Sequence, residues 1–160
     1  MSLSQKPLWK CPECGHRFVT RNMWHSCSNY SLDSHFVGKS PVVREVFDRL
    51  LALVKMCGPV TVIPQKTRIA IQARVRFAGG LARKRWFEAA LWLTRKAAHP
   101  ALQRVETFGP HSYGLHFRLM CVEDLDEAFG ELVREAYAVG RQEHLRVFED
   151  QPTKRSGKKA

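Results

Sequence analysis

The chain carries Cys11-Pro12-Glu13-Cys14-Gly15 near its start. Two thiolates three positions apart, with a glycine to close the turn, can both reach one ion at about 2.3 Å. Phe18 and Trp24 are spaced like the small core of a zinc finger, and His25 and Cys27 follow. This pattern predicts a Zn2+ site held by Cys11, Cys14, His25 and Cys27. The last two are only two positions apart, which places them in a turn and not in a flat strand. His35, at the start of a short turn opened by Ser31, is the alternative fourth ligand. Four protein ligands leave no position for water, so the expected metal is structural and not catalytic. In so small a module it would supply most of the folding energy. Cys57 and Cys121 stand alone in apolar surroundings with no adjacent base and read as small core residues.

A second group with chemical potential lies in the middle of the chain, where the hydrophobic period is two. Ile69, Ile71, Ala73, Val75 and Phe77 alternate with Arg68, Gln72, Arg74 and Arg76. Phe87, Ala89, Leu91 and Leu93 alternate with Trp86, Glu88, Ala90 and Trp92, and Leu115, Phe117 and Leu119 with His116 and Arg118. Period two marks half-buried strands. One face is then apolar, while the other collects Arg68, Gln72, Arg74, Arg76, Trp86, Trp92, His116 and Arg118. Arginines neutralise phosphates and tryptophans stack on unpaired bases, so this face predicts single-stranded DNA or RNA binding. Arg83-Lys84-Arg85 adds positive charge in the preceding turn, and Lys66, beside a strand ending in Pro64, is a candidate anion ligand.

These strands need elements to support them. Ser40 and Pro41 suit the N-cap and first position of a helix. Val43, Val46, Phe47, Leu50, Leu51, Val54 and Cys57 then recur at helical steps until Gly58-Pro59. A second helix is predicted from Asp124 as cap, with Glu127 as its capping-box partner. Leu125, Ala128, Phe129, Leu132, Val133, Ala136 and Tyr137 form its buried stripe, and the run extends past Gly140 to about Phe148. Shorter strands are expected at Val60–Ile63 and Gln103–Phe108, with turns at Gly79-Gly80 and Gly109-Pro110. The order predicts an α+β fold with a mainly antiparallel sheet of four to five strands and two long helices on one face. A zinc-knuckle module at 8–37 precedes this domain at 40–149, and a basic, disordered tail at 150–160 follows it.

The 160 residues hold 26 Lys and Arg against 15 Asp and Glu, a formal charge of +11. Residues 59–119 carry net +9, residues 120–150 net −6 and the tail +4. Such a balance suggests an anionic partner, although the opposed segments can also attract each other within one fold. No apolar run approaches a membrane span, and the first ten residues lack the apolar stretch of a secretory signal, so a cytoplasmic protein is expected. Nucleotide-binding loops, a nucleophile elbow and the zinc-protease helix motif are missing from the sequence, which favours binding over catalysis. A pocket joining Lys66, His116 and a carboxylate would point the other way.

The sequence also resembles a family. Trp9 through Gly15, Asn22-Met23-Trp24-His25-Ser26-Cys27 and Leu32 through His35-Phe36 are similar to bacterial proteins carrying the domain of unknown function numbered 5655. The likeness continues through Gly58-Pro59-Val60-Thr61-Val62, Lys66-Thr67-Arg68-Ile69-Ala70 and Arg76-Phe77-Ala78. It ends with Asp124-Leu125-Asp126 and Ala136-Tyr137 to Gly140-Arg141, covering about 8–145. The resemblance implies a cytosolic bacterial protein with a small α/β domain behind a zinc knuckle. It implies a packing role for His35, and it keeps an anion pocket around Lys66 in view. The expectation is a zinc-containing protein that binds single-stranded nucleic acid through its basic, aromatic sheet face. The alternatives are a protein-interaction or regulatory module docking through the knuckle, and a small anionic-ligand pocket at Lys66.

Overall fold

A computed structural model describes residues 7–21 and 30–143. His25, Cys27, Trp24, the extension toward Phe148 and the basic tail lie outside the described residues. The chain opens with a hairpin of two short strands, β1 (Trp9–Lys10) and β2 (Arg17–Phe18), paired antiparallel. A 3-10 turn at Asp33–Phe36 leads into α1 (Pro41–Cys57), which begins and ends where its cap residues predict. Strands β3 (Thr61–Pro64), β4 (Ile69–Gln72), β5 (Arg76–Ala82), β6 (Phe87–Leu93), β7 (Leu102–Gly109) and β8 (Ser112–Leu119) follow. A second 3-10 turn at Val122–Asp124 precedes α2 (Glu127–Gly140).

The main sheet is antiparallel and has six strands, not four to five, in the order β3-β4-β5-β6-β8-β7. The extra strand arises because the run from Arg68 to Phe77 is not one strand. The chain turns at residues 73–75, where Gly140 O accepts from Arg74 N at 2.8 Å and from Val75 N at 2.9 Å. Half-buried Val75 therefore leaves the core face. Strand β8 lies between β6 and β7, which departs from a simple meander. Its Leu115, Phe117 and Leu119 are fully buried, whereas β7 has no buried residue and takes the edge. Of β7 and β8, β7 is thus the one that can tolerate solvent on one side.

Gly79 and Gly80 are not a turn. They lie inside β5 with φ of +156° and +157°. A Cβ on Gly79 would sit 2.2 Å from the Ile69 carbonyl oxygen of β4, and one on Gly80 would sit 2.1 Å from the Glu88 carbonyl oxygen of β6. The neighbouring strands approach too closely for any side chain here.

Both helices cover one sheet face and share one core with it. Phe47 of α1 meets Phe87 at 5.4 Å between ring centroids, and Phe129 of α2 meets Phe117 at 5.1 Å. The cap of α2 is Asp126, whose side chain accepts from Phe129 N at 2.8 Å. Asp124, the residue expected there, instead accepts from Met120 N and Cys121 N and holds the preceding 3-10 turn. That offset leaves Ala128 exposed.

Gly80→Ala is expected to destabilise the fold by about 1–3 kcal/mol by overpacking the β5–β6 interface. Gly109→Ala, whose Cβ meets nothing within 4 Å, is the matched control. Urea denaturation of both variants measures the difference, and equal midpoints would show that β5 has room at its centre.

Candidate functional site

The sheet face away from the helices holds a cleft of about 300 Å³. Strand register explains its shape. Ala70, Gly79, Ala90, His116 and Arg104 are successive partners across β4, β5, β6, β8 and β7. The first three have almost no side chain, so the row forms a floor that dips below its surroundings. It then rises onto an imidazole and a guanidinium. Glu88 and Trp92 of β6 flank Ala90 on the same face and border the cleft on either side.

Four arginines line this cleft against one carboxylate, Glu88. Arg68 is exposed just before β4, and Arg76 opens β5. Turned with its amide oxygen toward β5, Gln65 accepts from both terminal nitrogens of Arg76 at 3.1 and 3.3 Å. Desolvation in the cleft pulls the Arg76 guanidinium below its ordinary pKa, which costs least when an anion sits beside it. Arg83 donates to Glu88 Oε2 from Nε at 3.2 Å and from Nη2 at 3.0 Å. Arg104 contacts Glu106 Oε1 at 3.2 Å, and the same oxygen lies 3.2 Å from His116 Nε2.

His116 is 8% exposed. Burial lowers its pKa below the ordinary imidazole value, and Arg104 lowers it further; Glu106 and Glu88 oppose the shift. Among the described residues it is the buried titratable side chain of this face.

The residues expected on this face separate into two sets. Arg68, Arg76, Trp92 and His116 meet in the cleft. Lys66 is exposed in the β3–β4 turn and does not line it. Arg74 sits in the β4–β5 turn, where its Nε donates to Gln142 Oε1 at 3.3 Å beside the end of α2. Trp86 and Arg118 stack on each other, with the guanidinium carbon 4.6 Å from the ring centroid, and neither lines the cleft. Gln72 is 3% exposed and donates from Nε2 to the Arg17 carbonyl, tying the β1–β2 hairpin to the sheet. Arg83, Glu88, Arg104 and Glu106 complete the arrangement. The period-two pattern Arg104-x-Glu106 was the signal in the sequence, but only strand pairing places it opposite His116.

Cys11 and Cys14 occupy the turn between β1 and β2. Cys11 N donates to His16 O at 2.8 Å, and Gly15 N donates to Cys11 O at 2.9 Å, with Gly15 at φ +77°. Among the described residues no three metal-ligating side chains come together. His35 lies in the first 3-10 turn, and its buried Nε2 has no hydrogen-bond partner. No described helix is long and apolar enough to cross a membrane.

A family model described as "Domain of unknown function (DUF5655)" matches residues 32–140. This range contains the six-stranded sheet, both helices and the whole cleft, and leaves out the cysteine hairpin. Neither a curated protein nor a solved structure matches the chain.

The lowered His116 pKa makes protonation favour unfolding. Stability should therefore fall as pH drops from the unfolded value of about 6.5 through the lower folded one. An NMR titration of the His116 ring is expected to show this pKa below that of free histidine. Glu106→Gln should depress it further, because Glu106 favours the charged ring. An unchanged pKa in that variant would mean that the carboxylate does not act on the ring.

Proposed function

The chain belongs to the DUF5655 family, and we propose that its sheet cleft binds single-stranded nucleic acid, seating one nucleotide at a time. The observation that carries this reading is the bare floor from Ala70 to Ala90 set between four arginines and Trp92. Arginine presents a planar fork that matches phosphate oxygens. Trp92 is half-buried, so its remaining surface can stack on a base. The concavity favours an extruded nucleotide over a duplex, whose phosphates lie on a convex surface. Its volume also falls at the lower end of small-molecule pockets. A free phosphorylated ligand is accordingly the second reading, and it centres on Arg76 in place of Lys66.

Fluorescence anisotropy of the full chain with a labelled single-stranded oligonucleotide tests this. Log affinity is expected to fall linearly with log salt, and Arg68→Ala with Arg76→Ala should reduce that slope by about 0.7 for each phosphate no longer neutralised. Trp92→Ala should cost about 1–3 kcal/mol of binding. If the double arginine variant binds as tightly as the natural chain at low salt, the cleft is not the site. Strong competition by a mononucleotide would favour the second reading.

We also propose that Cys11 and Cys14, with His25 and Cys27, hold one Zn2+, with His35 as the alternative fourth ligand. Two cysteines in one glycine-closed turn suit a shared tetrahedral ion. The unpartnered Nε2 of His35 supports keeping that residue in consideration. A bound zinc would cross-link the hairpin, whose strands are only two residues each. Elemental analysis of the purified chain should find one zinc per chain, lost in Cys11→Ser with Cys14→Ser. Comparing His25→Ala with His35→Ala identifies the fourth ligand, and a metal-free natural chain would refute the assignment.

A further inference from the structure

Resting on the nucleic-acid reading, we propose that the cleft cleaves single-stranded RNA by attack of the RNA's own 2′-hydroxyl, with Glu88 as base and His116 as acid on either side of one phosphate. The two residues lie diagonally across the β6–β8 pair, because His116 is the partner of Ala90 and Glu88 is two positions away on the same face. Diagonal neighbours stand about 7–8 Å apart at their backbones, less at the side chains. An acid and a base serving the attacking and leaving oxygens of one phosphorus need such a gap between them.

The surrounding contacts leave each group one working atom. Both Arg83 contacts fall on Glu88 Oε2, and Oε1 has no ion-pair partner among the described residues. Glu106 Oε1 lies 3.2 Å from His116 Nε2 as a charge partner, and proton exchange is assigned to Nδ1. Glu106 thus supports the charged form of the ring, with Arg104 Nη2 3.2 Å from the same oxygen. Arg68 and Arg76 line the same cleft and face the charge that builds on the phosphoryl oxygens.

The step balances without a further reactant. The Glu88 carboxylate takes the proton of the 2′-hydroxyl as the 2′-oxygen forms a bond to the adjacent phosphorus. The bond from phosphorus to the 5′-oxygen breaks, and that oxygen leaves with the electron pair. It then takes a proton from the His116 imidazolium. The products are a 2′,3′-cyclic phosphate and a 5′-hydroxyl, and no atom changes oxidation state.

The charges around His116 set the pH window. Arg104 and Glu106 approach from β7, Glu88 from β6 and Arg68 from the β3–β4 turn; burial and the two arginines oppose protonation. The His116 imidazolium, the proposed acid, therefore persists only below a value under about 6.5. The rate should decline as pH rises toward neutrality.

The test incubates the full chain with a labelled single-stranded RNA across pH, beside its 2′-deoxy counterpart as a binding probe. The expected result is cleavage of the RNA to a cyclic-phosphate end, with the deoxy strand bound and intact. His116→Ala and Glu88→Gln should each slow cleavage by about 10²–10⁴-fold. Glu88→Gln should still bind the deoxy strand at least as tightly as the natural chain, since it removes the cleft's one lining carboxylate. Because that substitution is nearly isosteric, it stays informative if His116→Ala fails to fold. Deoxy-strand binding without RNA cleavage overturns the catalytic proposal and leaves the binding site standing. Cleavage that survives both substitutions also overturns it, and loss of all binding removes both readings.

Discussion

The close approach of three strands at Gly79 and Gly80 governs both faces of this domain. A side chain at either position would strike a backbone carbonyl of β4 or β6. With glycine there, the strands pair fully while β5 contributes no bulk at its centre. On the helix side, the ring of Phe87 occupies the space a Gly80 side chain would need, with two of its carbons within 3 Å of that Cβ position. On the other side, the same lack of side chains becomes the floor of the cleft. One local requirement of packing thus makes a concavity in a sheet that would otherwise present a continuous surface.

The charge pattern acquires a spatial meaning in this arrangement. The acidic segment after β8 includes α2, which lies behind the sheet, whereas the cleft arginines face forward. The described contacts between the basic and acidic segments include Arg95 with Glu135 at 2.8 Å and His99 with Asp126 at 2.9 Å. Both lie at the helix side, and His99 packs edge-on against the core rings Phe117 and Phe129. Attraction within the fold therefore accounts for part of the asymmetry, and among the described residues no ion pair joins it to Arg68 or Arg76. Their charge faces a concave recess, where focused field favours an anion over an open surface.

The helices were legible because their signals are local. Pro41 to Cys57 carries its own cap, period and glycine stop, and the observed limits agree. Trp92 and His116 were legible as one face because alternation survives wherever a strand stays straight, as in β6 and β8. Arg74 failed for a physical reason. The turn at 73–75 and the register shift after Ile71 break the run that simple alternation treats as continuous. Gly79-Gly80 failed similarly, since a glycine pair signals a turn as readily as a close strand approach. Arg104 and Glu106 depend on which strand lies beside β8, and a hydrophobic pattern within one strand carries no record of its neighbour.

Gln72 links the cysteine hairpin to the sheet beside the cleft. Gln72 ends β4, takes Arg76 as its partner on β5, and gives its amide hydrogen to the carbonyl of Arg17. The hairpin is therefore anchored one strand away from a guanidinium that lines the cleft. A buried amide so placed transmits position well, because losing its acceptor leaves a polar group without water. A constraint on the hairpin bears first on Gln72 and β4, and on Arg76 only through the β4–β5 pairing. Arg76 itself is partly desolvated, and Gln65, with its amide oxygen turned toward β5, accepts from its terminal nitrogens. The hairpin thus joins the sheet at β4, the neighbour of the strand that carries Arg76, and none of its described side chains lines the cleft.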